Sequence, residues 1–402
     1  MDKKLKLAYL TANAPFGKGE TFINEEIAVI SKYFKVLIIP RDSKKQFHKP
    51  NFHYKNIEIL KTKILNFRIL KCFIRYLLKK DFYELLKILI KDKKSLAKNL
   101  VILPKAIFIS EYLSKRKIDL IICHWGGTTA TIALISNILK KIPYVITYHR
   151  WDIYSPNLTY IKVKNSLFVR VISEKGKNDL LKLCNYEFLN KIIKIHMGVC
   201  INIIKSNIKT SEKKFTIACP ANLYKVKGHY YLIKAMDYLV NVLNLSNIQL
   251  LIIGEGYLKK KLMSLVNKLK LNENIYFLGA LPHNELINLY FKKKINLVVL
   301  PSIEIDNEFE GIPVSLMEAM SYNIPVISTF SGSIPELLSE CGVLVPQKDY
   351  LAIANEIYKF YTNKKYYLTQ ALKVFCEVEK NFNIEKNTKT LIDTIYKYLC
   401  KN

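Results

Sequence analysis

The stretch Glu310-Gly-Ile-Pro-Val-Ser-Leu-Met-Glu318-Ala-Met places two carboxylates eight positions apart, with a glycine and a proline between them. The run before it, Ile295-Asn-Leu-Val-Val-Leu-Pro-Ser302, is typical of a buried strand that leads into a loop. Pro313 suits the first turn of a helix, because its missing N–H costs nothing there. The pattern therefore predicts Glu310 on a loop at the carboxyl end of a strand, and Glu318 inside the helix that follows.

A loop in this position is where open α/β sheets bind ligands. The unpaired N–H groups of a helix's first turn also carry a partial positive charge that attracts anions. Two acids beside such a turn could hold a polyhydroxylated ligand that carries phosphate. The alternative is that Glu310 is a solvated loop acid and Glu318 an exposed helix acid.

The rest of the chain alternates short apolar runs with helical patterns, which predicts α/β architecture with parallel sheets and right-handed crossovers. A lysine-rich polar stretch at 205–214 separates two such series and marks a domain boundary. We predict strands at 5–11, 36–40, 119–124, 144–149 and 167–173 before it, and at 215–219, 248–253, 275–278, 297–301 and 325–328 after it.

A second motif, Ala221-Asn-Leu-Tyr-Lys-Val-Lys-Gly-His-Tyr230, directly follows the strand that opens the second series. Lys227 is a point charge suited to phosphate, and Gly228 lets backbone N–H groups approach a ligand closely. We therefore predict a diphosphate-binding loop. An ordinary lysine turn in a lysine-rich protein is the alternative.

Together these motifs resemble the retaining, nucleotide-sugar-dependent glycosyltransferases of the GT-B fold (family 4-like, glycosyl transferases group 1), of the type that makes exopolysaccharide and lipopolysaccharide. The spacing of Glu310 and Glu318 resembles the family's Glu-x7-Glu signature. The loop at 221–230 resembles its Gly-Arg-Leu-x4-Lys-Gly loop, with Asn222 at the arginine position. The resemblance implies two facing Rossmann-like domains with a cleft: an acceptor-binding domain at 1–204, a donor-binding domain at 205–380, and a last helix at 381–402 that crosses back to the first domain.

The resemblance also implies roles for particular residues. His149-Arg-Trp-Asp152 resembles the family's His-Gly-x-Asp motif, and Ala14-Pro-Phe-Gly-Lys-Gly-Glu-Thr resembles a loop of polysaccharide transferases. A structural histidine and a plain strand–helix turn are the respective alternatives. The residues implied as catalytic are Glu310 and His149; those implied as donor-binding are Lys227, Asn222, Glu318, Gly311, Ile312, Pro313, Val314 and Gly19.

The sequence lacks an Asp-x-Asp motif that would clamp a metal diphosphate, and Glu304-Ile-Asp306 is the nearest approach. We therefore expect no metal and no cofactor, with a nucleoside-diphosphate sugar as co-substrate. The expected reaction moves a sugar to a glycan or lipid-linked acceptor in cell-surface polysaccharide synthesis. A sugar-nucleotide epimerase of the same fold is the alternative enzyme, and a basic nucleic-acid-binding protein is the alternative from another class.

The net charge is +30, and its excess is uneven. Between Lys61 and Lys117 there are 16 Lys and Arg against 4 Asp and Glu, a balance of +12, with apolar residues interleaved. Three readings are open: helices with a solvated lysine face, an anionic membrane surface, or nucleic acid, which we do not expect because no recognition motif accompanies the charge. The eight scattered cysteines and the lack of a signal pattern predict a cytoplasmic protein, peripheral on the inner face of the cell membrane in the second reading.

Overall fold

The computed structural model describes residues 4–17, 20–43, 56–201, 214–306, 308–338 and 340–400. The chain divides into two compact units. The first contains Met1–Met197 and Ile384–Asn402, and the second contains Gly198–Asn383. Gly19 and most of the lysine-rich stretch at 205–214 lie outside the described residues.

The first unit contains a seven-stranded parallel sheet with the strand order β3-β2-β1-β4-β5-β6-β7. Its strands are β1 Lys6–Thr11, β2 Lys35–Pro40, β3 Ile57–Ile59, β4 Leu120–His124, β5 Tyr144–Tyr148, β6 Phe168–Val171 and β7 Ile192–Lys194. Its helices up to β7 are α1 Thr21–Ile30, α2 Phe67–Leu77, α3 Lys80–Ile90, α4 Leu96–Lys115, α5 Thr128–Lys140, α6 Trp151–Tyr154, α7 Thr159–Asn165 and α8 Glu174–Leu183.

The second unit contains a six-stranded parallel sheet with the strand order β10-β9-β8-β11-β12-β13. Its strands are β8 Phe215–Pro220, β9 Ile248–Ile253, β10 Ile275–Gly279, β11 Leu297–Leu300, β12 Val326–Thr329 and β13 Val343–Val345. Its helices are α9 His229–Asp237, α10 Lys259–Lys268, α11 His283–Phe291, α12 Val314–Ser321, α13 Ile334–Leu338, α14 Tyr350–Thr362 and α15 Lys364–Asn381. A 3₁₀ turn, Lys225–Lys227, precedes α9, and a π-helical turn, Tyr238–Val242, follows it.

Both sheets are covered on both faces, because successive strand residues point to opposite sides. In β1, Ala8 and Leu10 pack into a core with α2–α5, whereas Leu7 and Tyr9 pack into a core with α1. The last helix, α16 (Ile384–Leu399), belongs to the first unit and contributes Leu391 and Ile395 to that second core. The predicted α/β class with two Rossmann-like, parallel-sheet domains is confirmed.

The basic segment 61–117 forms α2, α3 and α4, and only part of it is a solvated surface. Helix α4 is largely buried, and Lys105 within it is fully buried. Its ammonium donates to the carbonyls of Pro40 (3.1 Å), Arg41 (2.7 Å) and Thr62 (3.1 Å). Burial lowers the pKa of Lys105 to about 8. One cation of this segment therefore braces the first unit from inside.

Among the described residues, no helix combines the length and the apolar composition that crossing a bilayer requires.

Candidate functional site

Lys227 and Glu310 meet at the point where the second sheet reverses its strand order. The chain runs outward from β8 to β9 and β10, and then returns to place β11 on the other side of β8. Lys227 follows β8, Glu310 follows β11, and the Nζ of Lys227 forms a salt bridge with Oε1 of Glu310. Such a reversal opens the crevice in which α/β sheets bind ligands. The structure thus brings together the two motifs that the sequence singled out separately.

The Lys227 loop is held against the end of β11 by a close backbone approach. Gly228 has a φ of +67°, and a Cβ at this position would lie 1.8 Å from the carbonyl oxygen of Pro301. Only glycine fits both this conformation and this contact. Next to Pro301, the hydroxyl of Ser302 lies 3.5 Å from Oε1 of Glu310. The glycine therefore sets the position of the lysine relative to the carboxylate.

Glu310 is buried, at 6% exposed, and its backbone is clamped by the segment after β12. The N–H of Ser333 donates to the carbonyl of Glu310 at 3.1 Å. Gly332 has a φ of +55°, and a Cβ there would lie 1.9 Å from the same carbonyl oxygen. A second glycine contact thus holds the backbone of Glu310 in place. This contact comes from a segment that follows Glu310 in the sequence, whereas the Lys227 loop precedes it.

Glu318 lies inside α12, as the spacing predicts, and it has a partner that sequence reasoning missed. Nε2 of His283, the first residue of α11, lies 2.7 Å from Oε1 of Glu318. Glu318 is buried, whereas about a third of the His283 side chain is exposed. The sequence could have indicated His283, because this residue directly follows the loop after β10 and so lies at the same edge of the sheet as Glu310. His283 orients one carboxylate oxygen of Glu318.

The segment between the two glutamates forms the entry to α12. The helix begins at Val314, so Pro313 is its N-cap residue with extended backbone rather than part of its first turn. Gly311 and Ile312 lie in the loop between β11 and α12. Asn222 is exposed in the loop after β8, where its carbonyl accepts from the N–H of Tyr224 at 2.8 Å. The predicted donor-binding residues of the second unit therefore lie on the loops and helix starts at the carboxyl ends of β8 and β11.

His229, directly after the Lys227–Gly228 turn, is a further residue that sequence reasoning did not single out. It is buried, at 2% exposed, and neither ring nitrogen has a hydrogen-bond partner within the part of the chain that the structure describes. Burial, together with the charge of Lys227, lowers its pKa to about 4. His229 is therefore a neutral ring at neutral pH.

We expect the buried neutral His229 to make the protein sensitive to acid. Its folded pKa lies below its unfolded value, so the unfolded chain binds more protons between about pH 6.5 and 4, and stability falls as the pH falls through this window. The loss should be about 3 kcal/mol. Denaturant unfolding of the wild type and of His229→Leu at pH 7 and pH 4 measures it. Equal pH dependence in the two proteins would contradict the assignment.

His149 lies in the first unit, directly after β5, in a buried aromatic setting. Its ring packs against Trp125 at 4.3 Å and Phe22 at 5.4 Å between ring centroids. Its backbone N–H donates to Oδ1 of Asp152 at 3.0 Å, and Oδ2 of Asp152 accepts from the N–H of Gly126 at 2.7 Å. Burial raises the pKa of Asp152 to about 6. The Asp152 carboxylate thus links the segment after β4, through Gly126, to the segment after β5, through His149.

The loop after β1, which contains the predicted residue Gly19, is organised by its own carboxylate. Gly19 itself lies outside the described residues. The buried carboxylate of Glu20 accepts from the backbone N–H groups of Asn13 and Ala14, both at 2.5 Å, and from the indole N–H of Trp125 at 2.5 Å. The N–H of Ala12 also donates to Glu20, at 3.3 Å, so Glu20 already satisfies three backbone donors of this loop.

Within the described ranges, no three His, Cys, Asp or Glu side chains cluster as metal ligands would. The independence of metal that the sequence suggests stays a prediction.

The two Rossmann-like domains, each built on a parallel sheet, define the GT-B class of folds. Residues 201–372 match the family model described as glycosyl transferases group 1. The resemblance of the sequence to group 1 glycosyl transferases is confirmed for this part of the chain.

Relatives and solved structures agree with this classification. The putative colanic acid biosynthesis glycosyltransferase WcaL of Escherichia coli is 29% identical over 60% of this chain and 61% of its own length. The amylovoran biosynthesis glycosyltransferase AmsK of Erwinia amylovora is 31% identical over 33% of each chain. The chain thus spans about three fifths of the length of the first of these relatives.

Among solved structures, Anabaena HepE in complex with UDP has a TM-score of 0.73 at 15% identity, over 98% of this chain and 100% of its own. Sucrose-phosphate synthase from Thermosynechococcus elongatus has a TM-score of 0.75 at 16% identity, over 99% and 100%. At this level of identity the likeness establishes the fold.

Proposed function

We propose that the protein is a retaining glycosyltransferase that moves a sugar from a nucleoside-diphosphate donor to a glycan or lipid-linked acceptor in cell-surface polysaccharide synthesis. The observation that carries the proposal is the Lys227–Glu310 pair at the strand-order reversal of a domain of the group 1 family. The names of the colanic acid and amylovoran relatives support a polysaccharide product. The neighbour that binds UDP supports a nucleoside-diphosphate donor.

In this proposal the diphosphate binds at Lys227, with Asn222 donating a hydrogen bond beside it. Without a donor, Lys227 is neutralised by Glu310. An arriving diphosphate competes for the ammonium, which releases the Glu310 carboxylate toward the sugar. Binding of the donor and release of the Glu310 carboxylate are thereby coupled through Lys227.

Glu318, oriented by His283, accepts hydrogen bonds from the ribose hydroxyls, and the backbone from Gly311 to Val314 contacts the sugar ring. The leaving group is already a stable dianion, so catalysis consists mainly of positioning and electrostatic stabilisation. The transition state is oxocarbenium-like, as in glycoside chemistry generally. The Glu310 carboxylate stabilises its developing positive charge. For His149 we propose a hydrogen bond to a substrate hydroxyl.

The donor site is tested by thermal unfolding with millimolar UDP, GDP, ADP and CDP, each with and without magnesium. A nucleotide at about 100 times its Kd should add about 2.7 kcal/mol of stability. We expect one nucleotide to stabilise the protein without magnesium. Product analysis with the matching sugar nucleotide should then give free nucleoside diphosphate and a glycoside. An altered sugar nucleotide as product would instead identify an epimerase.

We expect Lys227→Met to weaken nucleotide binding by roughly 10- to 100-fold, because a hydrogen-bonded charge on the diphosphate contributes about 1.5–3 kcal/mol. Lys225→Met is the matched control, since Lys225 is exposed in the same 3₁₀ turn and should matter little. Calorimetric titration of both variants with the nucleotide measures the difference. Equal losses in the two variants would show non-specific attraction by a lysine-rich loop.

We further propose that the first unit docks on an anionic membrane surface through α2, which places the enzyme at the inner face of the cell membrane where lipid-linked acceptors reside. The outward face of α2 carries Phe67, Leu70 and Ile74, and Leu78 follows at the same spacing. Phe67 is 79% exposed and Leu78 is 92% exposed. The cations Arg68, Lys71 and Arg75 lie between them in the sequence, and Lys79 follows Leu78.

An apolar face flanked by cations is the pattern of a helix that lies in a membrane interface. The opposite face of α2, with Ile69 and Tyr76, already packs in the core, so the exposed face is additional to what folding uses. Charge complementarity with acidic headgroups therefore supports the membrane over a solvated surface.

Flotation with vesicles tests the docking surface at physiological salt. We expect the wild type to float with vesicles that contain phosphatidylglycerol and not with pure phosphatidylcholine. The double variant Phe67→Ser/Leu78→Ser should stay in the soluble fraction, whereas Val242→Ser, at an exposed apolar residue of the second unit, should float. A wild type that fails to float would refute membrane docking.

A further inference from the structure

A chain of three buried side chains connects the carboxylate of Glu26 in α1 to the ring of His149. Oε1 of Glu26 lies 3.2 Å from Nε2 of His124, at the end of β4. Nδ1 of His124 lies 3.1 Å from Nε2 of His149. Glu26 and His124 are fully buried, and His149 is 6% exposed. The order of contacts is thus carboxylate, first imidazole, second imidazole.

Glu26 is ionised and can only accept hydrogen bonds. Burial alone would raise its pKa, but Arg170 and His124 outweigh that effect and hold the pKa well below its usual range. Nη1 of Arg170 donates to Oε2, and the hydroxyl of Tyr9 donates to Oε1 at 3.1 Å. Because a carboxylate offers no hydrogen, the hydrogen between Glu26 and His124 must sit on Nε2 of His124.

The positive charge of Arg170 already compensates the single negative charge of Glu26 in this pocket. A second cation there would be buried without a partner, which is strongly unfavourable. His124 is therefore neutral, and its Nδ1 is a lone-pair acceptor. Nδ1 accepts the hydrogen bond from Nε2–H of His149, which leaves Nδ1 of His149 as that ring's acceptor.

His149 is also a neutral ring. Burial, His124 and Arg170 lower its pKa well below the usual range, against the opposing effect of Glu26. The other charged groups around it are Asp152, which accepts from its backbone N–H, and Glu20, which accepts from the packed indole of Trp125. The ring therefore keeps a single hydrogen across the neutral pH range.

We propose that Glu26 and His124 are positioning residues that lock His149 in the tautomer with its hydrogen on Nε2, so that Nδ1 accepts a hydrogen bond from a substrate hydroxyl. Nδ1 of His149 is thus a hydrogen-bond acceptor. A substrate hydroxyl can donate a hydrogen to it, whereas a carbonyl oxygen or an ionised phosphate oxygen cannot. The part that concerns substrate rests on the proposed glycosyltransferase function. The assignment of the His149 tautomer does not depend on that function.

We call the hydrogen-bonded series Glu26, His124 and His149 the relay. Nitrogen-15 NMR spectroscopy of ring-labelled histidine in the full-length protein tests it at pH 7.5, with His149 assigned by the signals lost in His149→Gln. In the wild type we expect a protonated Nε2 and an unprotonated Nδ1. A hydrogen on Nδ1 of wild-type His149 would overturn the proposal without any relay variant being needed.

Glu26→Gln gives a prediction that a merely structural role does not make. Arg170 should hold the amide oxygen of the new side chain, which turns its NH₂ toward Nε2 of His124. His124 must then carry its hydrogen on Nδ1 and donate to His149, so that the hydrogen of His149 moves to Nδ1. An unchanged His149 tautomer in a folded Glu26→Gln protein would refute the relay.

The same variant separates this proposal from the proposed function. If the wild type transfers sugar, Glu26→Gln should lower kcat at least tenfold with little change in the donor KM. Full kcat in a protein with inverted tautomers would show that the relay does not serve the reaction. If the wild type transfers no sugar, the proposed function fails, and the tautomer measurements still decide whether the relay exists.

Discussion

Glu310→Gln should reduce kcat for sugar transfer by about 100- to 1,000-fold, the usual effect of removing one preorganised electrostatic group from an active site. The amide keeps the shape of the side chain, and the backbone clamps at Ser333 and Gly332 are untouched. The lost negative charge can no longer stabilise an oxocarbenium-like transition state. Steady-state kinetics with saturating sugar nucleotide measures the effect, and the donor KM should not rise, because the neutral amide competes less with the diphosphate for Lys227.

Glu308→Gln is the matched control, because Glu308 is an exposed acid two residues away in the same loop. It should retain full activity. Thermal unfolding should show both variants folded, since the Lys227–Glu310 pair is partly open to solvent on the lysine side and contributes little to stability. Wild-type kcat in Glu310→Gln would exclude the role assigned to this acid.

Arg170→Met should destabilise the first unit by about 3–5 kcal/mol, the usual loss when one partner of a buried ion pair is removed. Arg170 is fully buried in β6. Besides Glu26, its guanidinium donates to the carbonyls of Ile195 at 2.9 Å and His196 at 2.7 Å. The substitution therefore leaves a buried carboxylate without a counter-charge and two carbonyls without these donors. Denaturant unfolding measures the loss.

Arg116→Met is the control for this prediction. Arg116 also forms a two-point ion pair, with both Glu58 oxygens at 2.9 Å, but it lies at the surface. Its removal should change stability far less than the loss of Arg170, because solvent screens an exposed ion pair. The double variant Glu26→Gln/Arg170→Met should be more stable than Arg170→Met alone, because no uncompensated charge remains. If it is not, the loss in Arg170→Met arises from packing rather than charge.

The order of strands and helices around the donor loops could be predicted from the sequence with small errors. The strand Ile248–Ile253 was predicted at its observed bounds, whereas α12 begins one residue after Pro313, which we expected in its first turn. These elements alternate apolar runs with helical periodicity, which depends on neighbouring residues alone. Helix α15 shows the limit of this signal, since its lysine- and tyrosine-rich start, Lys364-Lys-Tyr-Tyr, carries no clear apolar period.

The segment 61–117 shows where periodicity was insufficient. Its mixture of lysines and apolar residues predicts amphipathic helices, but it does not tell which apolar residues face the core. The structure buries Ile69 and leaves Phe67 and Leu78 exposed, and it places the charged Lys105 inside. Which face is buried depends on the helices that pack against it, and these come from distant parts of the chain.

The sequence by itself determined the α/β alternation, the position of Glu310 on a loop and of Glu318 on a helix, and the lysine–glycine turn after β8. Each depends on residues within one element or its immediate flanks. The tertiary structure alone decided the pairing of Lys227 with Glu310, of His283 with Glu318, and of Glu26 with Arg170 and His124. These partners are separated by 83, 35, 144 and 98 residues, respectively. Parallel strands gather their carboxyl ends at one edge whatever their distance in the chain, so the contacts made there depend on strand order, which no local pattern encodes.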